Sequence, residues 1–198
     1  MRKFLYSIML SVSVLAVLSF SGCNALENAT TSGSKLILIS LTGNDLAGQV
    51  GSTIIFSDVA EANGGTINDN AVAEVTAALL DPFQEAGTFY QAIFVDQIDV
   101  EYSRSDGRNV PGVDVPFAFS QKVSVTIEIS GTAEIPFVIV QHNAKSESPL
   151  SNLIYGQGGV LKLEAKITIH GKDLGEHRIQ PVVGHISIYC ANYADEEE

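Results

Sequence analysis

At 198 residues, with 45% hydrophobic side chains, the chain is long enough to bury one ordinary core. Eleven Lys and Arg stand against 23 Asp and Glu, a formal net charge of −12, which argues against a nucleic-acid partner because phosphates carry the same sign. Two cysteines, Cys23 and Cys190, allow at most one disulfide, so a cysteine-stapled scaffold is excluded.

The first residues have the parts of a secretory signal. Arg2 and Lys3 make a basic start, Phe4 to Phe20 form an apolar run broken only by serines, and small residues follow. The ending Phe20-Ser21-Gly22-Cys23 resembles the bacterial lipobox, with Phe20 where Leu is usual. The resemblance implies that residues 1–22 are removed and that Cys23 is acylated on sulfur as the mature N-terminus. Acyl chains contribute about 0.8 kcal/mol per buried CH₂, so two or three of them anchor stably where one does not. An uncleaved signal anchor is the competing reading, but the run is marginal for a membrane span and a span gives no reason for the small-small-Cys ending. Asn24 follows, where Asp would favour inner-membrane retention in Gram-negative lipoproteins. The expected location is therefore the bacterial cell envelope, lipid-anchored, with the outer membrane favoured in a Gram-negative source. Residues 23–34, including the polar stretch "ALENATTSGS", are expected as a flexible tether. The 176 residues from Cys23 onward hold nine basic and 23 acidic side chains, a net of −14, which repels anionic lipid headgroups.

Residues 35–198 are expected to form one β-sandwich. "SKLILISL" and "GSTIIFSDV" suit strands. "NDNAVAEVTAALLDPF" has both periods: Val72, Val75 and Leu79 suit a helix capped by Asp69 or Asn70, while Ala73, Val75, Ala77 and Leu79 alternate. The β character of the rest favours a strand. "QIDVEYS" places Ile98, Val100 and Tyr102 inward, and "KVSVTIEIS" does the same for Val123, Val125, Ile127 and Ile129. "EIPFVIVQ" is apolar on both faces, with Pro136 near its start. "SESPLSNLIYG" is expected as a loop with room for one helical turn. "VLKLEAKITIH" alternates most clearly, Leu161, Leu163, Ala165, Ile167 and Ile169 inward against Lys162, Glu164, Lys166 and Thr168. "GKDLGE" then turns the chain into a closing hairpin with "HISIYCANY", where Cys190 aligns with Ile186 and Ile188 as a buried free thiol. The whole predicts an all-β, antiparallel, immunoglobulin-like sandwich of seven to nine strands, although the chain has no Trp for the core of true immunoglobulin domains.

Chemistry-bearing residues are few. In "SRSDGRNVPGVDVPF", Asp106, Asn109 and Asp114 offer oxygens of the kind Ca²⁺ binds, while Asp-Gly and Pro-Gly are also what two turns require, and Arg104 and Arg108 oppose a cation. "EANGGTINDN" is a second oxygen-rich loop without EF-hand spacing. Four histidines, 142, 170, 177 and 185, fall in the last third. His170 and His177 flank the final turn and could face one another, yet no HxH or HExxH spacing marks a metal site. Ser32-Gly33-Ser34-Lys35 matches S-x-x-K but lacks the companion elements of that chemistry. No G-x-S-x-G elbow, dinucleotide fingerprint or P-loop occurs, so no catalytic residue and no cofactor is assigned.

The phrases "YSRSDGRNVPGVDVPFAF", "GTAEIPFVIV" and "AKSESPLSNL", with the tail "ANYADEEE", resemble a group of bacterial secreted proteins and lipoproteins to which no activity is attached, over most of residues 55–195. The strand order is also similar, more distantly, to late-embryogenesis-abundant/WHy-type sandwiches. The resemblance implies an all-β sandwich and supplies no site residues. The function expected is that of a membrane-anchored envelope lipoprotein, non-enzymatic, serving structure or contact with another envelope protein. A Ca²⁺-dependent binding or adhesion module is the alternative, and an envelope hydrolase a further one. If Cys23 carries the lipid, Cys23→Ser abolishes processing and releases the protein from membranes. Mutant protein of mature size in the membrane fraction, assayed by fractionation and immunoblotting, overturns that expectation.

Overall fold

Alternation along each strand decides which side chains meet across the molecule. The computed structural model describes residues 32–44, 50–61, 64–84, 87–154 and 159–193. The expected signal peptide, Cys23 and tether residues 24–31 lie outside them. Nine strands occur among the described residues: β1 (Ser34–Asn44), β2 (Val50–Ser52), β3 (Ile54–Asp58), β4 (Asp69–Leu79), β5 (Ile93–Ser103), β6 (Phe119–Ile127), β7 (Thr132–Val140), β8 (Leu161–Asp173) and β9 (Val182–Ala191). Two short helices, α1 (His142–Lys145) and α2 (Ser151–Ile154), occupy the segment between β7 and β8.

The strands form a four-stranded sheet, β2-β1-β4-β7, and a five-stranded sheet, β3-β9-β8-β5-β6. This is an immunoglobulin-like sandwich in which the first strands divide between the sheets, β1 and β2 in one and β3 in the other. All pairings are antiparallel except one. β3 crosses to the second sheet and runs parallel to β9, with Ile55 beside Ile188, where wholly antiparallel pairing was expected.

The ambiguous segment is a strand. Ala71, Ala73, Val75 and Ala77 are all buried, a period of two, while Leu79 at its end is only partly so. Good helix formers do not prevent this, because strand preference reflects packing more than intrinsic backbone choice. β5 and β8 supply Ile98, Val100, Tyr102, Leu163, Ala165, Ile167 and Ile169 to the core, as their alternation predicts. From β7 come Ile135, Phe137 and Ile139. Pro136 is tolerated because β7 is an edge strand. Cys190 is buried beside Ile188, and burial pushes its thiol up to about 12, which fits an inert apolar role.

Two mid-strand bulges interrupt the alternation, besides register shifts near strand ends between Gly43 and Asn44 and between Asp69 and Asn70. In β1 the register shifts between Leu38 and Ser40, leaving Ile39 half-exposed while Leu38 and Leu41 both pack on the core. In β5 the shift lies between Val95 and Gln97, so Ile93 and Val95 point inward on one parity and Ile98 and Val100 on the other. The buried Tyr102 hydroxyl finds a partner on the opposite sheet, donating to the carbonyl of Ile139 at 2.6 Å.

The strand β8 gives a direct test of this packing. Ile167 is fully buried, whereas Lys166 is partly exposed and ion-paired with Glu101 at 2.8 Å. Ile167→Asp is expected to destabilise by roughly 3 kcal/mol or more, since an unpaired buried carboxylate is created. Lys166→Asp is expected to cost less than about 1 kcal/mol. Urea unfolding of the two variants checks the contrast, and equal losses would refute the inward–outward assignment.

Candidate functional site

The two ends of the sandwich are distinct. Ser34 lies across from Leu79, and Asp173 across from Ile93, so residues 32–34, residues 80–84 and 87–91 and the β8–β9 connection share one end. Asp69 lies across from Val140, and Leu161 across from Cys190, which puts α1, α2 and the 104–118 segment at the other. Because the expected tether joins at Ser32, the first end is tether-proximal and the second tether-distal.

At the distal end a charged side chain is wholly inside. Lys145, the last residue of α1, has 0% relative exposure. Its Nζ donates to the carbonyl oxygen of Asp58 at 2.6 Å and to Asp69 Oδ1 at 2.9 Å. Burial raises the Asp69 pKa, and the nearby ammonium only partly offsets that rise. Ser57 lies beside both Asp69 and Cys190, close enough to lower the pKa of each, yet neither its Oγ nor Asp69 Oδ2 completes a hydrogen bond. No sequence pattern identifies this cluster: Lys145 stands alone in a polar loop, 76 positions from Asp69. A hydrogen bond from the His142 N–H to Asn68 Oδ1 at 2.7 Å fixes the start of α1 to the same loop.

Beside α1 stands the lobe formed by residues 104–118, which holds the three residues considered for calcium. Asp106 is clasped by Arg104 (2.5 Å) and Arg108 (3.0 Å). Desolvation works against ionisation there, but the hydrogen bonds from Arg104 and Arg108 together outweigh it and hold the carboxyl at about 2. Asn109 Oδ1 accepts from the backbone N–H of Arg104 at 2.6 Å, and Asp114 Oδ2 from that of Val110 at 3.2 Å. Each oxygen thus closes a turn of the lobe. Gly112 adopts φ = 75°, and a Cβ there would come within 2.6 Å of the Phe117 ring, so only glycine fits. The result is a braced lobe that exposes Val110, Val113 and Phe117. A shallow groove of about 240 Å³ separates Phe117 and Phe119 from Asn143, Ala144 and Glu147 around α1.

The four histidines do not converge. His142 contacts Asn68, His170 contacts Asp99 (2.7 Å), His177 contacts Asp173 (3.2 Å) and His185 contacts Glu164 (2.8 Å). Although His170 and His177 flank one turn, each is held by a different carboxylate. Burial opposes ionisation of Asp99 and Asp173; hydrogen bonds overcome it and lower both, chiefly from Ser120, Gln97 and His170 in the first case and from the His177 N–H in the second. Among the described residues no group of three or more His, Cys, Asp or Glu is placed to hold a metal. His170 does line an open groove of about 640 Å³ with Gln97, Lys122, Lys172 and Arg178, next to the β5 bulge. The S-x-x-K serines are fasteners of the fold. Ser32 and Ser34 are buried, and Ser34 Oγ donates to the Gln91 carbonyl at 2.7 Å. Residues 32–34 thus pack on the folded body, with Ser34 the first residue of β1.

No protein-family model and no curated protein sequence matches this chain. The class that the fold and its surfaces define is a β-sandwich with a braced, apolar-tipped distal lobe.

The buried pair predicts a pH-dependent phenotype. Removing one partner of a buried ion pair costs about 3–5 kcal/mol because the other is left uncompensated. Lys145→Met should do so near neutral pH. Without the ammonium, the Asp69 carboxyl titrates still higher in the folded state than its ordinary 3.8. The folded variant then binds the extra proton, and its stability falls as pH rises through that raised value. Denaturant unfolding is expected to show a smaller loss at pH 4.5 than at pH 7.5, and Asp69→Asn in the Lys145→Met background should recover part of it. A loss independent of pH would contradict the assignment.

Proposed function

We propose that this chain is a lipid-anchored cell-envelope protein whose β-sandwich acts without catalysis, as a contact module for another envelope protein. The lipobox-like ending at Cys23 and the short polar stretch that follows support the anchor. The observation that carries the contact role is the distal lobe. Its tip exposes Val110, Val113 and Phe117 together, while its base is braced by Arg104, Asp106, Arg108, Asn109 and Asp114. Apolar side chains left in water on an ordered loop are a signature of recognition surfaces, because ordering them in advance reduces the entropy lost on binding. Lys145 belongs to the same reading: its buried pair holds α1 against the sheet edge, so the groove beside Phe117 has a fixed wall. Placed at the end opposite the tether, the lobe is directed away from the anchoring membrane.

The test is site-specific photo-crosslinking in cells. A crosslinking residue at Phe117 is expected to form one discrete adduct, identifiable by mass spectrometry, that Val113→Asp abolishes. The same residue at Ser124, exposed on β6, is expected to form none. Equal adducts from both positions, or none from Phe117, would overturn the reading.

A further inference from the structure

The tether-proximal end carries its own exposed apolar group. Leu80 follows β4, Phe83 lies in the next turn, and Phe89 and Tyr90 open the 3₁₀ turn before β5. Phe83 is 90% exposed, Phe89 77% and Tyr90 67%, and the rings of Phe89 and Tyr90 meet edge to face at 5.8 Å. Hydrogen bonds tie these residues to one another and to the point where the chain enters the domain. The Leu80 N–H donates to the Gly33 carbonyl at 2.9 Å, and Ser34 Oγ to the Gln91 carbonyl. The Gln84 and Gln91 side chains pair at 3.1 Å, joining the Phe83 turn to the Phe89 turn.

We propose that Leu80, Phe83, Phe89 and Tyr90 form a second, reversible membrane contact that seats the tether-proximal end of the sandwich in the headgroup region of the bilayer. The occupant follows from where the chain leads. From Ser32 back to Cys23 there are nine residue steps, at most about 30 Å when extended and about 15–18 Å on average for a flexible chain. A lipid on Cys23 thus holds these four side chains within a tether's length of the bilayer, and the second contact becomes intramolecular, needing little affinity of its own. Aromatic and aliphatic side chains are suited to that layer, where apolar rings enter the acyl boundary and a Tyr hydroxyl stays among headgroups. Charge assigns the lipid class. At this end Lys35, Lys172 and Arg178 are outnumbered by Asp81, Glu128, Asp173 and Glu176, so no net positive charge favours anionic lipid, and zwitterionic phospholipid is the expected surface. Seating this end turns the 104–118 lobe outward.

This inference rests on the lipid-anchor reading, and the experiment separates the two. The chain has no Trp, so one introduced at Phe83, Phe89 or Phe117 is the sole indole. All three positions are exposed, so the substitutions leave the core untouched. Each mature variant is reconstituted into phosphatidylcholine vesicles carrying brominated acyl chains. Quenching at F83W and F89W should exceed that at F117W by at least twofold, with a blue-shifted emission. Equal quenching at all three positions in protein that floats with the vesicles would overturn the docking and leave the anchor intact. A blue-shifted emission at the Phe83 and Phe89 positions seen only in native envelope membranes, and not in the vesicles, would also overturn it, in favour of a protein occupant. Protein that lacks acyl mass and fails to float would remove the anchor and the docking together.

Discussion

Each sheet here must bury one face against the other, and that single requirement organises the molecule. The inward residues are almost all aliphatic: alanines and Val75 on β4, isoleucines on β5, β7, β8 and β9. Burying one such side chain is worth about 1.5–3 kcal/mol, and a dozen of them exceed any polar contact in the structure. The two bulges serve the same end. By inserting Ile39 and Asp96, β1 and β5 each switch parity in mid-strand, so that residues on both sides of the bulge still point inward as the sheets twist.

A sandwich closes along its faces but stays open at its ends, and the distal end is closed by a charge. Lys145 carries its ammonium into the interior and there satisfies the Asp58 carbonyl and the Asp69 carboxylate. Buried ion pairs contribute little net stability relative to apolar residues of similar volume, because desolvation offsets the attraction. What such a pair provides is position: α1 can sit in only one place if both charges are to be satisfied. That rigidity passes to the groove wall at Asn143 and Ala144, and so to the setting of Phe117.

The two ends thus differ in kind. The proximal end joins exposed aromatic residues to the chain's entry point; the distal end joins exposed apolar residues to a frame of arginine–aspartate pairs and a buried lysine. Between them the sheets act as a spacer. In a lipid-anchored chain, as proposed above, such a division would give one end to the membrane and the other to a partner.

Much of this was legible in the linear order of residues, and the reason is physical. A half-buried strand has a period of two, so Leu161–Ile169 and Ile98–Tyr102 announced both their conformation and their inward faces, and the turn signals Asp106-Gly107 and "GKDLGE" marked where strands stop. Fold class, inward faces and the buried state of Cys190 needed nothing more. Parity changes at Ile39 and Asp96 left no such mark, because a bulge depends on the partner strand's register. The parallel β3–β9 pair was equally silent, being settled by which sheet edge remained open. Lys145 is the clearest case: local sequence gives a lysine in a polar loop, and only the fold brings it to Asp69 and excludes water from both. Short-range periodicity made most strands and their inward faces readable from residue order, whereas the buried charge, the bulges and the two opposed surfaces arose only from contacts between residues far apart in the chain.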